Sequence, residues 1–273
     1  MAKILAITIV IIAILSAIPI ITHTWPGGIS VGLPTDISTH GSLIDEQYAD
    51  TMIEAGVCFL ASQIILAYFI WRFSSSKPTD KIKRFPGGAA GLVIAAFLLV
   101  GTECLALGVI GSKAWGSIYF TPPGPNAMAI QAQSEQFAFY FRYPGPDGSF
   151  GAIHPELVSD ASANFFGLDL TNDADAKDDI VTAEMAIPVN REIHLLMHSK
   201  DMGHSFFVPE LRIQQDFVPG LDVSVHFTAT KIGKYEIVCT QLCGLGHYNM
   251  KAYLEVMSQD DFDKWLKQQA ALQ

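Results

Sequence analysis

Two rhythms of apolar residues divide the chain. Up to about residue 110 they form long runs, Ile4 to Thr22, Met52 to Trp71 and Gly87 to Ile110, each close to the ~20 residues a helix needs to cross a bilayer. From Ala127 onward the runs give way to strand-like alternation in Gln136-Phe137-Ala138-Phe139-Tyr140-Phe141, Ile193-His194-Leu195-Leu196-Met197, Val223-Ser224-Val225-His226-Phe227 and Lys234-Tyr235-Glu236-Ile237-Val238. Pro144-Gly145-Pro146-Asp147-Gly148, Pro209 and Pro219-Gly220 punctuate these strands as turns. Near the end, Phe262, Trp265 and Leu266 recur at helical spacing and predict a short terminal helix. The pattern divides the chain into a first apolar helix at 1–24, a helical hairpin at 43–112, an all-β sandwich at 127–260 and a helical tail at 261–273.

The connection between the second and third runs carries Arg72, Lys77, Lys81, Lys83 and Arg84 against the single Asp80. Short basic loops of this kind stay on the cytoplasmic side, which puts the β domain on the opposite, periplasmic face. The first run follows Lys3 and reads as a third membrane helix. A cleaved signal sequence is the alternative, although Leu15-Ser16-Ala17 is a poor cleavage site and Pro19 to Thr22 prolongs the apolar run. Either choice leaves the hairpin orientation unchanged. Glu54 and Glu103 fall within or beside apolar runs, where an ionisable group is costly and marks a functional site or a partner contact.

Charge sharpens the division, because the part after Ser112 holds 20 of the 27 acidic residues and 11 of the 17 basic ones, a balance of −9 within a total of −10. An acidic chain is a poor nucleic-acid binder, and half the residues being apolar argues against disorder. The expected partner surface is cationic. Asp169, Asp173, Asp175, Asp178 and Asp179 concentrate that charge ahead of the strand at Ile193 and are candidates for steering a basic donor.

The four cysteines do not form a disulfide framework: Cys58 and Cys104 lie in apolar runs, and Cys239 and Cys243 form one close pair. That pair opens Cys239-Thr240-Gln241-Leu242-Cys243-Gly244-Leu245-Gly246-His247-Tyr248-Asn249-Met250, which gathers two thiols, an imidazole and a thioether. Soft sulfur ligands favour copper, and imidazole accepts both of its oxidation states, so the set suits a redox copper site better than zinc. Gly244 and Gly246 make the segment a loop after the strand ending at Val238. A further donor is expected from another loop, and His204 in Asp201-Met202-Gly203-His204-Ser205-Phe206 is best placed.

The spacing Cys-x-(Glu or Gln)-x-Cys-Gly-x-x-His-x-x-Met, preceded by Asp-x-x-His-Ser-aromatic, resembles the CuA signature of cytochrome c oxidase subunit II. The resemblance extends over residues 43–260 and includes Gln214-Gln215-Asp216-Phe217-Val218-Pro219-Gly220. It implies a cupredoxin-like sandwich on a membrane hairpin, with the first helix as an addition. It further implies a binuclear copper centre in which Cys239 and Cys243 bridge, His204 and His247 each bind one copper, Met250 is a weak ligand and Gln241 gives its backbone carbonyl. The chain would pass electrons from a c-type cytochrome to haem in subunit I of a bacterial inner-membrane oxidase that also holds subunit III. Haem and the second copper site would belong to the partner, so no turnover is expected of this chain alone. The histidines His23, His40, His154, His194, His198 and His226 match no ligand position.

The chain departs from the family at three points. Gln241 replaces the usual Glu, a poorer ligand for the magnesium ion that relatives hold at the interface with subunit I. Gln136-Phe137-Ala138-Phe139 replaces a Gln-Trp-x-Trp motif, which makes Phe137 and Phe139 the candidates for the point where electrons enter and suggests a different donor, such as a membrane-bound cytochrome in a supercomplex. Phe85-Pro86-Gly87-Gly88 lacks the Glu that many relatives use for proton uptake. The CuA subunit of a nitric-oxide reductase is the alternative reading, and a copper metallochaperone for oxidase assembly a more distant one. A quinol oxidase subunit would lack the ligands that are present here.

Overall fold

The computed structural model describes residues 1–22, 24, 25, 29, 30, 32–74 and 90–272, which fall into two compact units. Lys77, Asp80, Lys81, Lys83, Arg84, Phe85-Pro86-Gly87-Gly88 and His23 lie outside the described residues, and with them the expectations that rest on them.

The first unit holds helix α1 (Ala2–Thr22), a two-residue pair β1 (Thr24–Trp25) and β2 (Ile29–Ser30), and all but the first two residues of helix α2 (Gly41–Phe73) and the last two of helix α3 (Ala90–Trp115). All three helices are long and apolar enough to cross a membrane. Helix α2 begins well before the apolar run at Met52, because Asp45, Glu46 and Asp50 occupy its first turns without disturbing helical geometry. At 33 residues and ~1.5 Å each it exceeds the hydrocarbon thickness, so its polar start is free to lie outside it. Gln47 reaches the Leu107 carbonyl at 3.4 Å, which joins α2 to α3. Glu54 and Glu103 are both half-exposed, and Glu54 Oε2 has no hydrogen-bond partner among the described residues.

The second unit is a sandwich of two five-stranded sheets. One has the order β10 (Val223–Thr228), β7 (Glu192–Ser199), β3 (Met128–Glu135), β4 (Ala138–Tyr143) and β5 (Ile180–Thr182). The other has the order β6 (Met185–Pro188), β12 (Lys251–Met257), β11 (Gly233–Val238), β8 (His204–Val208) and β9 (Ile213–Phe217). Pairing is antiparallel except for β3 with β7 and β6 with β12. Alternation drives the sheets together: Ile193, Leu195 and Met197 of β7 and Ala252, Leu254 and Val256 of β12 point inward and are buried. Phe139 meets Phe217, and Phe206 meets Phe227, across the interior. Each such side chain contributes roughly 1.5–3 kcal/mol on burial.

The structure extends the β unit at both ends. Residues 34–42 belong to it: Ile37 is buried, its N–H donates to the Glu210 carbonyl at 2.9 Å, and its carbonyl accepts from Thr230 N at 2.7 Å. Residues from Ala114 also belong to it, earlier than the boundary expected at 127. The expected terminal helix is α5 (Gln259–Ala270). It starts at Gln259 because the Ser258 side chain accepts from Asp261 N as an N-cap, and its Phe262 and Trp265 pack on Tyr143.

The strand expected from Gln136 begins only at Ala138. Glu135 pairs with Ala138, so Gln136 and Phe137 form a two-residue hairpin turn. Between β4 and β5 the chain makes a long excursion containing the short helix α4 (Ala174–Asp178). Phe166, Leu168 and Ala176 form a small core there, backed by Tyr140, Phe165 and Val181.

Candidate metal centre

The β11–β12 connection runs from Cys239 to Met250, and the Cys239 N–H donates to the Met250 carbonyl at 3.2 Å to close its base. Inside the loop, Gly244 takes φ +127°, a conformation that L side chains rarely adopt. The 3-10 turn His247–Asn249 follows, with Met250 N donating to His247 O at 3.2 Å, which brings His247 and Met250 to the same side. His204 enters from the first position of β8.

The six sequence-selected donors converge. Cys239 Sγ lies 3.8 Å from Cys243 Sγ, 3.9 Å from His204 Nδ1 and 3.2 Å from the Gln241 carbonyl oxygen. Cys243 Sγ lies 3.6 Å from His247 Nδ1 and 3.6 Å from Met250 Sδ. Two sulfurs each ~2.3 Å from a common ion would be ~3.8 Å apart at a tetrahedral angle, and a sulfur and an imidazole nitrogen ~3.5 Å apart. The spacing therefore fits metal ligation. His204, Cys239 and Cys243 present atoms within 4.8 Å of one another, a set that excludes His247. The donors thus have two sides, with His204 beside Cys239 and His247 beside Cys243.

His204, Cys239, Cys243 and Met250 are buried, whereas His247 is half-exposed and Gln241 is exposed. Burial pushes the Cys243 thiol up to about 11, and the neighbouring Cys239 adds to the effect. A cation that displaces the thiol protons reverses that penalty. Beneath the centre, Asp201 Oδ1 lies 2.8 Å from His204 Nε2, and its Oδ2 accepts from Gln136 N at 2.8 Å. Desolvation alone would raise the Asp201 carboxyl, but hydrogen bonds from His204, Gln136 and Met202 outweigh it and hold the group below the usual carboxylate range. Asp201 stood in the sequence motif without a role. The available signal is an acid three residues before a candidate donor histidine.

Of the two candidate aromatics, only Phe137 is at this end of the site. A Cβ on Gly246 would fall 2.5 Å from its ring, so the ring rests on the loop backbone while 41% of the residue stays exposed. Phe139 is in the core against Phe217 and is 2% exposed, which corrects the expectation that it could meet a donor.

The acidic run also divides. Asp179 forms a buried ion pair with Arg142, accepts from Gly151 N and does not face a partner. Asp173 caps α4 and Asp169 accepts from Thr171 N and Asn172 N, both local structural bonds, while Asp178 is half-exposed and Asp175 exposed. His194, His198 and His226 line strands, with His198 against Asp222 and His226 against Glu192. His40 ends the 34–40 segment and His154 stands beside Glu156.

Residues 128–257 match the family described as cytochrome c oxidase subunit II, periplasmic domain. Over those residues the β-sandwich is similar to that family. An alternative cytochrome c oxidase subunit 2 from Bradyrhizobium diazoefficiens is 27% identical over 245 residues, covering 86% of this chain and 83% of that protein. The cytochrome c oxidase subunit 2 of Thermostichus vulcanus is 28% identical over 274 residues, covering 91% and 81%. Among solved structures, the periplasmic domain of subunit II of cytochrome oxidase from Bradyrhizobium japonicum covers 54% of this chain and 96% of its own, at 23% identity and a TM-score of 0.40. The converging donors lie within the part that matches subunit II.

Proposed function

We propose that this chain is the electron-accepting subunit of a haem–copper terminal oxidase, taking electrons from a c-type cytochrome and passing them to haem in subunit I, where oxygen is reduced. The observation that carries this reading is the two-sided donor set around one pair of thiols, with His204 beside Cys239 and His247 beside Cys243. One tetrahedral ion would leave His247 outside the His204, Cys239 and Cys243 group. Two coppers would be held by Cys239, Cys243, His204, His247, Met250 and the Gln241 carbonyl, which leaves none of the converging donors unused.

Such a copper pair supplies a one-electron carrier whose charge is spread over two metals, so little reorganisation accompanies each transfer. The protein's contribution is rigidity and seclusion. Asp201 fixes the His204 ring so that Nδ1 faces the sulfurs. Burial keeps water from Cys243 and Met250, and Phe137 offers its exposed edge to a donor while its inner face rests on the Gly244–Gly246 backbone. Phenylalanine in place of tryptophan fits a donor other than a freely diffusing cytochrome, such as a membrane-bound one held in a supercomplex.

The apolar helices and the match to a periplasmic-domain family support a bacterial inner-membrane location, where subunits I and III would be the neighbours. The magnesium site that the resemblance implies is disfavoured here, because the Gln241 amide is a poorer ligand for a hard cation than a carboxylate. Among the acidic residues, Asp175, with help from Asp169, Asp173 and Asp178, remains the candidate for steering the donor. Stopped-flow reduction of the copper-loaded full-length chain by a reduced c-type cytochrome tests the path. Phe137→Ala should slow reduction while leaving the copper spectrum in place, and an unchanged rate would remove Phe137 from it.

A further inference from the structure

Gln136 touches both halves of the donor set through bonds that no ligand motif accounts for. Its backbone N–H donates to Asp201 Oδ2 at 2.8 Å, and Asp201 holds the His204 ring. Its side-chain Nε2 donates to the Cys243 carbonyl at 2.6 Å and lies 3.0 Å from Met202 Sδ. A two-residue turn therefore bridges the segment that supplies His204 and the loop that supplies Cys243, across 65 and 107 positions of sequence. The packing around it is close: a Cβ on Gly244 would fall 2.8 Å from Gln136 Nε2. The next residue, Phe137, fills the space over Gly246.

We infer that Gln136 is a positioning residue of the metal centre, acting through the Cys243 carbonyl and through Asp201 rather than as a ligand. The inference rests on the copper reading given above. Two geometric consequences follow from the bonds. The amide fixes the Cys243 carbonyl and thereby the direction in which the Cα–Cβ bond presents Sγ. The backbone bond fixes the Asp201 carboxylate and thereby the His204 ring plane. Both thiol-bearing and imidazole-bearing segments are thus referred to one short turn, which holds their separation when the charge on the metals changes. Gln136 also places Phe137, so ligand spacing and the seat of the exposed aromatic edge depend on the same turn.

The test uses the full-length chain in detergent, loaded with copper, comparing wild type, Gln136→Met and Gln136→Asn. Methionine keeps the length and the apolar stem but has no N–H to donate, while asparagine keeps the amide but is one methylene too short. The readouts are the copper hyperfine pattern, the reduction potential and the rate of copper loss to a chelator. Gln136→Met should bind copper yet show altered hyperfine splitting, a shifted potential and copper retention weakened about 10- to 100-fold, as for other outer partners of metal ligands. Gln136→Asn should show the same changes, whereas a role limited to filling space would spare Gln136→Met and disturb only Gln136→Asn, a pattern that would also overturn the inference. Both variants matching wild type in all three readouts would overturn the inference while leaving the copper reading intact. Wild type failing to bind copper would instead overturn that reading.

Discussion

His204 Nε2 lies 2.8 Å from Asp201 Oδ1, and its Nδ1 faces Cys239 Sγ at 3.9 Å. A carboxylate can only accept, so the nitrogen turned toward Asp201 carries the proton and the nitrogen turned toward the sulfurs carries the lone pair. Asp201→Ala removes that control. Copper affinity should fall about 10- to 100-fold, read by competition with a chelator, while the far-ultraviolet circular dichroism of the sandwich stays the same. Unchanged affinity would mean that β8 alone orients the ring.

The glycines of the loop are the second point of leverage. Gly244 has φ +127°, and Gly246 has no room for a Cβ beneath Phe137. Gly246→Ala should lift the Phe137 ring, raise its solvent exposure and slow electron transfer from the donor. Gly244→Ala should act earlier, lowering the copper content itself, because its backbone is strained with any side chain. Metal analysis of the two purified variants separates the effects.

Acid and alkali should act on the centre in opposite ways. The Cys243 thiol is raised from 9.0 to about 11 in the folded chain. Its contribution to stability without metal is therefore fully present below the unfolded value and is lost as pH rises through the folded one. Copper displaces the protons, so apparent affinity should climb with pH by about tenfold per unit for each proton released. The Asp201 carboxyl is depressed, so its support of His204 is present above the usual carboxylate range and lost as pH falls through its lower folded value. Titrating copper retention against pH checks both, and a flat profile would count against proton displacement.

Arg142 is fully buried against Asp179, Gln131 Oε1 and the Gly151 carbonyl, with no bond to the donor loop among them. Asp179→Ala leaves a buried guanidinium without its counter-charge, which costs about 3–5 kcal/mol. Thermal unfolding should show a clear loss of stability. If copper is loaded first, the hyperfine pattern should be that of wild type, since neither residue touches the donor loop.

The donor loop was legible because two thiols, an imidazole and a thioether lie within twelve positions of sequence, Cys239 to Met250. What tightens the loop was not legible. Gln136 and Phe137 alternate with Ala138 and Phe139 like any strand, and the bonds that make them a turn come from Asp201 and Cys243, remote in sequence. Asp179 reads as one of several surface acids until Arg142 is placed beneath it. The hairpin bound at 43 lies close to the start of helix α2 at Gly41, although the apolar run at Met52 marks only part of the helix, whose polar first turns satisfy backbone hydrogen bonds equally well. Ile37 lies in too short a segment to show a period, so its place against the sandwich emerges only from its bonds to Glu210 and Thr230.

The most direct test of the central claim is the metal content and electron paramagnetic resonance spectrum of the oxidised, copper-loaded full-length chain beside Cys239→Ser. Two coppers per chain, with one unpaired electron split equally by both nuclei and the signal lost on Cys239→Ser, are the predicted result. A single copper split by one nucleus, or zinc held in preference to copper, would contradict it.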